Sequence, residues 1–178
     1  FLKFYGLDVS GNILRALVSK KIPVVCGIAE QLPFKNESMD VVTLFAAMHH
    51  FYDHRPILNE VRRILKLNGI IYMDHDINKY FFKKFSFLIN IYRYLFRKRR
   101  VLKNENLEKI YNMSEFHSEG IDSVAIKEYL VKLGFRIVSS NYHWYGLSRP
   151  TNLIFSDRNF CKETAPLFEC IAQKAKEP

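Results

Sequence analysis

The sequence has few of the residues that mark disulfide-rich, disordered or membrane-spanning proteins. Only three of its 178 residues are cysteines and none forms a C-x-x-C pair, a pattern typical of reduced thiols in a cytoplasmic protein. Seven glycines, six prolines and 48% hydrophobic residues argue against disorder. No apolar run approaches the roughly 18–20 residues that a membrane-spanning helix needs. The length fits one domain with a sizeable core.

Acidic residues are missing from one long basic stretch. Residues 79–103 contain nine lysines and arginines and no aspartate or glutamate, a number equal to the net charge of +9. Two interpretations remain open: an amphipathic helix on an anionic membrane surface, or a cap over an active site with a solvated basic rim. On a helix, the large apolar side chains of this stretch would lie near one stripe: Phe81, Phe85, Leu88, Tyr92, Leu95 and Phe96.

Short β-rich runs alternate with helical patterns, which indicates an α/β fold with a mainly parallel sheet. Asn68 and Gly69 are predicted to end the second helix in a left-handed turn. The last strand is expected to pair antiparallel with its predecessor, and residues 152–155 are a candidate extra strand. The predicted strands are 1–7, 22–26, 40–45, 70–73, 135–142 and 167–174, and the predicted helices are 11–20, 53–65, 77–102 and 123–133.

Asp8 follows the first predicted strand and precedes a turn into a helix. Open parallel sheets bind ligands at the carboxyl ends of their strands, and a carboxylate there can accept hydrogen bonds from both hydroxyls of a ribose. Aspartate is also a common turn residue, so a purely structural role stays open.

Several strings in the first half of the chain carry a family resemblance. Residues 27–34 read G-I-A-E-Q-L-P-F, residues 38–42 read S-M-D-V-V, and the next strand ends in His49-His50-Phe51. The helix after it carries Glu60, Arg62 and Leu65 and closes on residues 67–69. In this order the strings resemble the class I S-adenosylmethionine-dependent methyltransferases, nearest the type 11 group that includes quinone-biosynthesis enzymes. Residues 134–138 and 168–174 are similar to that family's closing pair of strands.

The resemblance implies a Rossmann-like methyltransferase sheet with helices on both faces and an antiparallel last strand. Residues 1–178 would form one methyltransferase domain with a helical cap at 77–121. The implied cofactor is S-adenosyl-L-methionine. Asp8 would bind its ribose and Val9 one face of its adenine, Ala29 and Glu30 would border the adenine, and Phe45 to His49 would line the floor near the methionine part and the acceptor.

Two departures from the family pattern affect the cofactor site. Ile28 stands where the family usually has an aspartate that meets the adenine amino group. A glycine-rich G-x-G-x-G loop is not found in the sequence, and the chain opens at Phe1 within a predicted strand. We therefore expect an N-terminal truncation that removes the first, central strand, which would lie between the strands 1–7 and 40–45. Such a piece would bind the cofactor poorly.

Histidines and aspartates at strand ends are candidates for chemistry. His49 and His50 are candidate catalytic residues, since a histidine can take a proton from an acceptor hydroxyl near neutral pH. Alternatively, one of them hydrogen-bonds the strand end and the other packs. Asp74-His75-Asp76 has the residue types of a metal site. In an extended strand, however, His75 would point away from the two aspartates. We therefore predict no metal, and a substrate contact for Asp74.

Four consecutive side chains with amphipathic rings follow the fifth predicted strand: Tyr142, His143, Trp144 and Tyr145. Aromatic walls with polar tips suit a ring-bearing or lipidic substrate. An ordinary edge-strand surface explains the same composition, and both interpretations stay open.

The leading hypothesis is methyl transfer from S-adenosylmethionine to a small-molecule or lipid-linked acceptor. A nucleotide (NAD)-linked Rossmann oxidoreductase is the alternative enzyme, because Asp8 would also suit an NAD ribose. A non-catalytic basic module that binds membrane surfaces or RNA is a third possibility. Nucleic acid binding is disfavoured because the aromatic side chains of residues 79–103 are mixed with leucine and isoleucine and are not arranged on a polar sheet surface. We expect a cytoplasmic protein with peripheral contact to anionic membrane through residues 79–103.

Overall fold

The computed structural model describes residues 3–96, 116–117, 119–146, 148–155 and 159–175. The predicted helical cap at 77–121 lies partly outside these residues. In chain order the elements are β1 (Gly6–Asp8), α1 (Gly11–Val18), β2 (Val24–Cys26), β3 (Met39–Phe45), a 3-10 turn (Met48–His50), α2 (His54–Ile64), β4 (Leu65–Ile77), α3 (Lys79–Phe96), α4 (Ser123–Lys132), β5 (Phe135–His143), α5 (Arg149–Ile154) and β6 (Leu167–Lys174).

Four strands form the main sheet in the order β3-β4-β6-β5. Strands β3 and β4 are parallel, and β6 runs antiparallel to both of its neighbours, as predicted for the last strand. Since β4 and β5 both oppose β6, they run in the same direction. Strands β3, β4 and β5 therefore end along one side of the sheet, which we call the carboxyl edge.

The first two strands form a separate parallel pair. Gly6, Leu7 and Asp8 of β1 pair with residues 24–26 of β2. Strand β3 is the edge strand of the main sheet, and among the described residues no strand joins it to β1. The alternating α/β pattern and the antiparallel last strand predicted from the sequence are confirmed.

Two local predictions were wrong. Helix α2 ends at Ile64 and the chain passes directly into β4. Asn68 does adopt a left-handed conformation (φ 63°), but inside β4, where the pairing with β3 shifts between Met39 and Val41. A left-handed residue serves a helix end or a strand irregularity equally well, and the pairing partner decides which. Residues 149–154 form α5 instead of a strand, with Pro150 in the first turn where a helix tolerates it.

The core lies between α2, α4 and one face of the main sheet. The apolar positions of α2 repeat at helical spacing and are buried, as the helical period requires of a helix that packs on a sheet. They meet Ile126 and Leu130 of α4 and every second side chain of β6: Phe168, Cys170 and Ala172. Each such large aliphatic or aromatic side chain stabilises the fold by about 1.5–3 kcal/mol through burial. Burial also raises the pKa of the Cys170 thiol to about 12, which keeps this residue a neutral packing group.

Helix α3 confirms the predicted helix over Lys79–Phe96 and bends at Phe85 (φ −106°, ψ 16°). Phe81 and Phe82 before the bend are buried, whereas Phe87, Leu88, Ile91 and Tyr94 after it are exposed. The side chains of Tyr92, Leu95 and Phe96 and all of residues 97–102 lie outside the described part. None of the described helices combines the length and apolar character needed to cross a membrane.

Asp122 connects the beginnings of α3 and α4. Its carboxylate caps α4 by accepting from the backbone N–H of Ala125 at 3.1 Å. It also accepts from the hydroxyl of Tyr80 at 3.1 Å and forms an ion pair with Lys79. Hydrogen bonds outweigh the effect of burial and lower the pKa of Asp122, so the cap is charged at neutral pH.

We predict that Asp122→Ala lowers the free energy of unfolding by about 1–2 kcal/mol, because it removes a helix cap and the contacts with α3. Denaturant unfolding followed by circular dichroism measures this change. Asp40→Ala is the matched control, since Asp40 is an exposed residue of β3 that pairs with Lys66 at the surface. That variant should change stability by no more than about 0.5 kcal/mol. Equal effects of the two substitutions would contradict the capping role.

Candidate active site

The carboxyl edge gathers all six histidines of the chain. His49 and His50 lie in the 3-10 turn after β3, His54 begins α2, His75 lies near the end of β4, and His143 ends β5. The sixth, His117, donates its backbone N–H to the His49 carbonyl at 3.2 Å. The rings contact one another in three pairs, His49–His50, His54–His117 and His75–His143, with centroids 4.0–5.7 Å apart.

Asp76 anchors the 3-10 turn. Its carboxylate is buried and accepts from the backbone N–H groups of Met48 and His49, both at 3.1 Å. It also accepts from Nδ1 of His49 at 2.7 Å. An ionised carboxylate can only accept, so Nδ1 carries a proton and neutral His49 has its lone pair on Nε2. In this arrangement a carboxylate orients a histidine that can act as a general base.

Two further histidines support the same turn. His54 Nε2 donates to the carbonyl of Met48 at 2.9 Å, and His117 Nε2 donates to the carbonyl of Phe51 at 2.9 Å. Burial lowers the pKa of His54, which favours its neutral form at physiological pH. The turn is thus held from both sides, by Asp76 at its N–H groups and by histidines at its carbonyls.

Asp74 is the centre of a second polar cluster. This buried carboxylate accepts from Nε2 of His143 at 2.8 Å, from the Tyr72 hydroxyl at 2.8 Å and from the backbone N–H of His75 at 2.6 Å. Burial alone would raise the pKa of Asp74, but these hydrogen bonds outweigh it and lower the pKa to about 2. Asp74 is therefore a carboxylate at every physiological pH.

His75 has a left-handed backbone conformation (φ 67°), which is uncommon for a residue with a side chain. Its ring stacks on Phe45 with centroids 4.1 Å apart. Gly146 lies against the other part of the ring, and a Cβ at that glycine would stand 2.1 Å from Nε2 of His75. The backbone of His75 is thus held in an unfavourable conformation that brings its ring beside Asp74, a pattern found at functional sites.

The predicted cofactor residues lie on loops and strand ends. Asp8 ends β1, and its Oδ1 accepts from the backbone N–H of Ser10 at 2.7 Å. Val9 and Phe45 are exposed by 67% and 57%, Glu30 is exposed, and Ala29 packs partly against the core. The structure thus brings Phe45 into contact with His75, whereas Asp8 ends β1 in the separate β1–β2 pair and Val9 directly follows it.

The loop between β2 and β3 is fastened to α2. Glu60 accepts from the backbone N–H of Leu32 at 2.7 Å, and Arg63 donates to the carbonyls of Leu32 and Phe34. The arginine that pairs with Glu60, at 2.7 Å, is Arg63. Arg62, which carried part of the sequence resemblance, instead donates to the carbonyl of Leu133. The Glu-x-x-Arg string therefore positions the loop that contains the predicted adenine-contacting residues.

The predicted aromatic wall is divided between the core and the surface. Tyr142 is buried with its hydroxyl 3.1 Å from Ser123 Oγ, and His143 is fully buried. Trp144 stands edge-on to Phe81 and donates its indole N–H to the carbonyl of Thr164. Tyr145 is 43% exposed. Trp144 and Tyr145 remain the members of this group that can face a substrate.

Sequence reasoning missed the role of Asp76 as the partner of His49. It also missed His54, His117 and the pairing of Asp74 with His143. The order of the strands is the signal that could have revealed the pairing of His49 with Asp76. Strands β3 and β4 are parallel neighbours with Phe45 opposite Asp74, so residues just after Phe45 lie close to residues just after Asp74. His117 gave no local signal in the sequence, and only the tertiary structure brings its backbone and ring to the turn after β3.

Comparison with known proteins finds sequence similarity to methyltransferases and to an uncharacterized protein. A family model described as "Methyltransferase domain" matches residues 1–73. The chain is 30% identical over 186 residues to the uncharacterized protein MJ1252 of Methanocaldococcus jannaschii, covering 96% of this chain and 68% of that protein. It is 35% identical over 75 residues to the demethylmenaquinone methyltransferase of Geobacillus stearothermophilus, covering 38% of this chain and 32% of the relative.

Solved structures share the fold. The crystal structure of a SAM-dependent methyltransferase from Methanosarcina mazei matches with a TM-score of 0.62 at 16% identity, covering 97% of this chain and 82% of that one. Among three of the curated relatives, the chain spans only 20% to 36% of the relative's length. At 16% identity, the match to the solved structure shows that the two chains share a fold.

Proposed function

Because the chain belongs to the class I S-adenosylmethionine-dependent methyltransferase family, we propose that it transfers the methyl group of S-adenosylmethionine to a small-molecule or lipid-linked acceptor. The observation that carries this proposal is the contact between Asp76 and His49, which orients a base at the carboxyl edge where open α/β sheets bind their ligands.

The residues at the ends of β1 and β2 are compatible with the nucleoside part of the cofactor. Asp8 offers a carboxylate that a turn holds in place, suited to two ribose hydroxyls. Val9 and Ile28 beside the turns are exposed by 67% and 51% and offer apolar surface for an adenine ring. Ile28 lacks the carboxylate that would accept from the adenine amino group, so shape and apolar contact must hold the base.

When bound, S-adenosylmethionine supplies a methyl group that passes to the acceptor nucleophile as the methyl–sulfur bond breaks and its electron pair stays on sulfur. His49 takes the proton that the acceptor loses, on Nε2. Asp76 stabilises the resulting imidazolium and keeps the ring in the required orientation. Phe45 and Trp144 provide aromatic surface for the acceptor and exclude water from it.

A quinol-type acceptor is the finer form of this proposal. It is supported by the names of relatives, several of which are demethylmenaquinone methyltransferases. A phenolic hydroxyl has a proton for His49 to remove, and its ring suits the aromatic side chains at the carboxyl edge. The NAD-linked alternative rests on Asp8 alone, whereas family membership favours the methyl donor.

Replacing Asp8 with Ala is expected to weaken S-adenosylmethionine binding by about 10- to 150-fold, because a charged hydrogen-bond acceptor for the ribose is lost. Isothermal titration calorimetry with S-adenosylhomocysteine and with NAD⁺ measures the effect. Asp40→Ala is the control, because Asp40 lies near the beginning of β3, at the end of the strand away from the carboxyl edge. This variant should bind S-adenosylhomocysteine like the wild type. Unchanged affinity of the Asp8 variant would leave Asp8 a turn residue, and tight binding of NAD⁺ alone would favour the oxidoreductase.

We expect His49→Gln to lower kcat by about 100-fold or more while the affinity for S-adenosylmethionine stays unchanged, because only proton transfer is lost. A short-chain demethylmenaquinol serves as the acceptor. Asp76→Asn should lower kcat less, and the double variant should resemble His49→Gln, since the two residues act as one unit. Additive losses, or a wild-type rate for His49→Gln, would refute the assignment.

Delivery of a lipid-linked acceptor is supported by the surface of α3. Phe87, Leu88, Ile91 and Tyr94 are exposed at helical spacing, and the exposed Lys83 and Lys84 adjoin them on the same helix. We propose that this surface contacts the anionic face of a membrane from the cytoplasm. Each basic side chain near such a surface contributes about 1 kcal/mol.

Sedimentation with vesicles tests the membrane contact. The chain should sediment with phosphatidylserine-containing vesicles at low salt, and raised salt should weaken the association. A Phe87→Ser, Leu88→Ser double variant should bind at least about 10-fold more weakly. Val131→Ser is the control, because Val131 is an exposed apolar residue of α4. No association with any vesicle, or equal association with neutral ones, would refute the proposal.

A further inference from the structure

We propose that Asp74, His75 and His143 form a binding site for one divalent transition-metal ion of the Zn²⁺ type. One ligand atom from each side chain, a carboxylate oxygen of Asp74 and a ring nitrogen of each histidine, lies within 4.8 Å of the other two. Two imidazoles and one carboxylate are a known three-residue ligand set for such ions, with the remaining coordination positions left for water or a substrate.

The geometry needs little adjustment to accept an ion. His143 Nε2 lies 2.8 Å from Asp74 Oδ1, and His75 Nδ1 lies 3.1 Å from Asp74 Oδ2. Metal–ligand bonds of about 2.0–2.2 Å in a tetrahedral site would set the ligand atoms about 3.3 Å apart. Small rotations of side chains that already converge would therefore suffice.

Hydrogen bonding around His143 supplies an independent argument. This fully buried ring has Nδ1 3.1 Å from the carbonyl oxygen of Tyr145, which can only accept, so Nδ1 carries a proton. Nε2 faces the Asp74 carboxylate at 2.8 Å, on the side where the proposed ion would lie. A histidine that ligates a metal commonly donates its other N–H to a backbone carbonyl, as His143 does.

His75 provides the third ligand, and its ring nitrogen gives a second argument for a bound ion. Its Nδ1 is buried and makes no hydrogen bond with any described residue, since its approach to Asp74 lacks hydrogen-bond geometry. The left-handed backbone of His75 brings the ring to this position, and the missing side chain at Gly146 leaves space for it. Tyr72, which donates to Asp74 Oδ2 at 2.8 Å, helps to hold the carboxylate in its orientation.

The structure differs from the premises on which the sequence predicted no metal. His75 does not point away from Asp74, because its φ of 67° departs from an extended strand. The second histidine comes from β5, which β6 places in line with the end of β4: Leu167 and Phe168 pair with residues 76–77 on one side and with residues 142–143 on the other.

The ion would adjoin the proposed acceptor site, because His75 stacks on Phe45 and its side chain is 20% exposed. A metal there binds an acceptor oxygen and lowers the pKa of its hydroxyl, which assists proton removal by His49. This role rests on the proposed function. The binding site itself rests only on the three ligands and their surroundings.

Cobalt titration of the chelator-treated chain tests the site directly. Co²⁺ should bind with one equivalent and give the visible absorption of a low-symmetry histidine–carboxylate complex, and Zn²⁺ should displace it. Zn²⁺ should also raise the midpoint of thermal unfolding, since it binds the folded chain. His75→Gln should weaken Co²⁺ binding by at least about 100-fold. Substitutions of residues that only support the ligands weaken metal binding by about 10- to 100-fold, so loss of a ligand should cost at least as much.

His75→Gln is the primary variant because the His75 side chain is partly exposed, and circular dichroism checks that the variant folds. Asp74→Asn and His143→Gln are informative where they also fold. His49→Gln is the matched control, since it alters the other histidine–aspartate pair of the carboxyl edge and should bind Co²⁺ like the wild type. Failure of the folded wild type to bind at millimolar Co²⁺ would overturn the proposal, as would loss of binding in His49→Gln with retention in His75→Gln.

The titration contains neither S-adenosylmethionine nor an acceptor. A chain that binds cobalt but no S-adenosylmethionine would keep the metal site and count against the methyltransferase proposal. A chain that binds S-adenosylmethionine but no metal would do the reverse.

Discussion

The arrangement of the carboxyl edge depends on two buried carboxylates at the end of β4. Asp74 and Asp76 are each no more than 2% exposed, and burying a charge costs several kcal/mol unless donors surround it. Each carboxylate meets this requirement in its own way. Asp76 takes two backbone N–H groups and the ring of His49, and Asp74 takes His143, Tyr72 and the backbone of His75. The turn after β3 and the end of β5 are therefore both held by β4.

Sheet order makes this possible. Strand β6 enters between β4 and β5 in the opposite direction, so that the ends of β4 and β5 stand on the same side of the sheet, separated by one strand. The bulge between Met73 and Asp76 breaks the regular pleat there. Irregularities of this kind redirect side chains next to functional sites. Here the two aspartates, only two residues apart, bind different partners: Asp76 binds the 3-10 turn after β3, and Asp74 binds His143 at the end of β5.

The two clusters differ in exposure and in hydrogen bonding, and the proposed transfer reaction uses both differences. His49 is partly exposed and oriented by Asp76, which suits a group that exchanges protons with an acceptor. His143 is fully buried beside a carboxylate that stays ionised, which suits a ligand of the proposed metal ion. His75 and Phe45 stand in contact between them. The β1–β2 pair, with Asp8 and the loop fastened by Glu60 and Arg63, contributes the part of the surface proposed to hold the nucleoside.

The sequence by itself determined the order of the elements, the helical spacing of the apolar residues in α2, and the strand ends that carry polar residues. It also determined the cap of α2, where the Asp53 carboxylate accepts from the backbone N–H of Arg55. These features depend on local periodicity and on side chains that bond their own backbone. It also supplied the strings that resemble the methyltransferase family. Only the tertiary structure decided that Asn68 bends a strand instead of ending a helix, that Asp76 pairs with His49, and that His143 meets Asp74 across 69 positions of chain. Those outcomes depend on which strands become neighbours and in which register. A local pattern cannot encode them, because the same residue satisfies its hydrogen bonds equally well with any partner that the fold brings near.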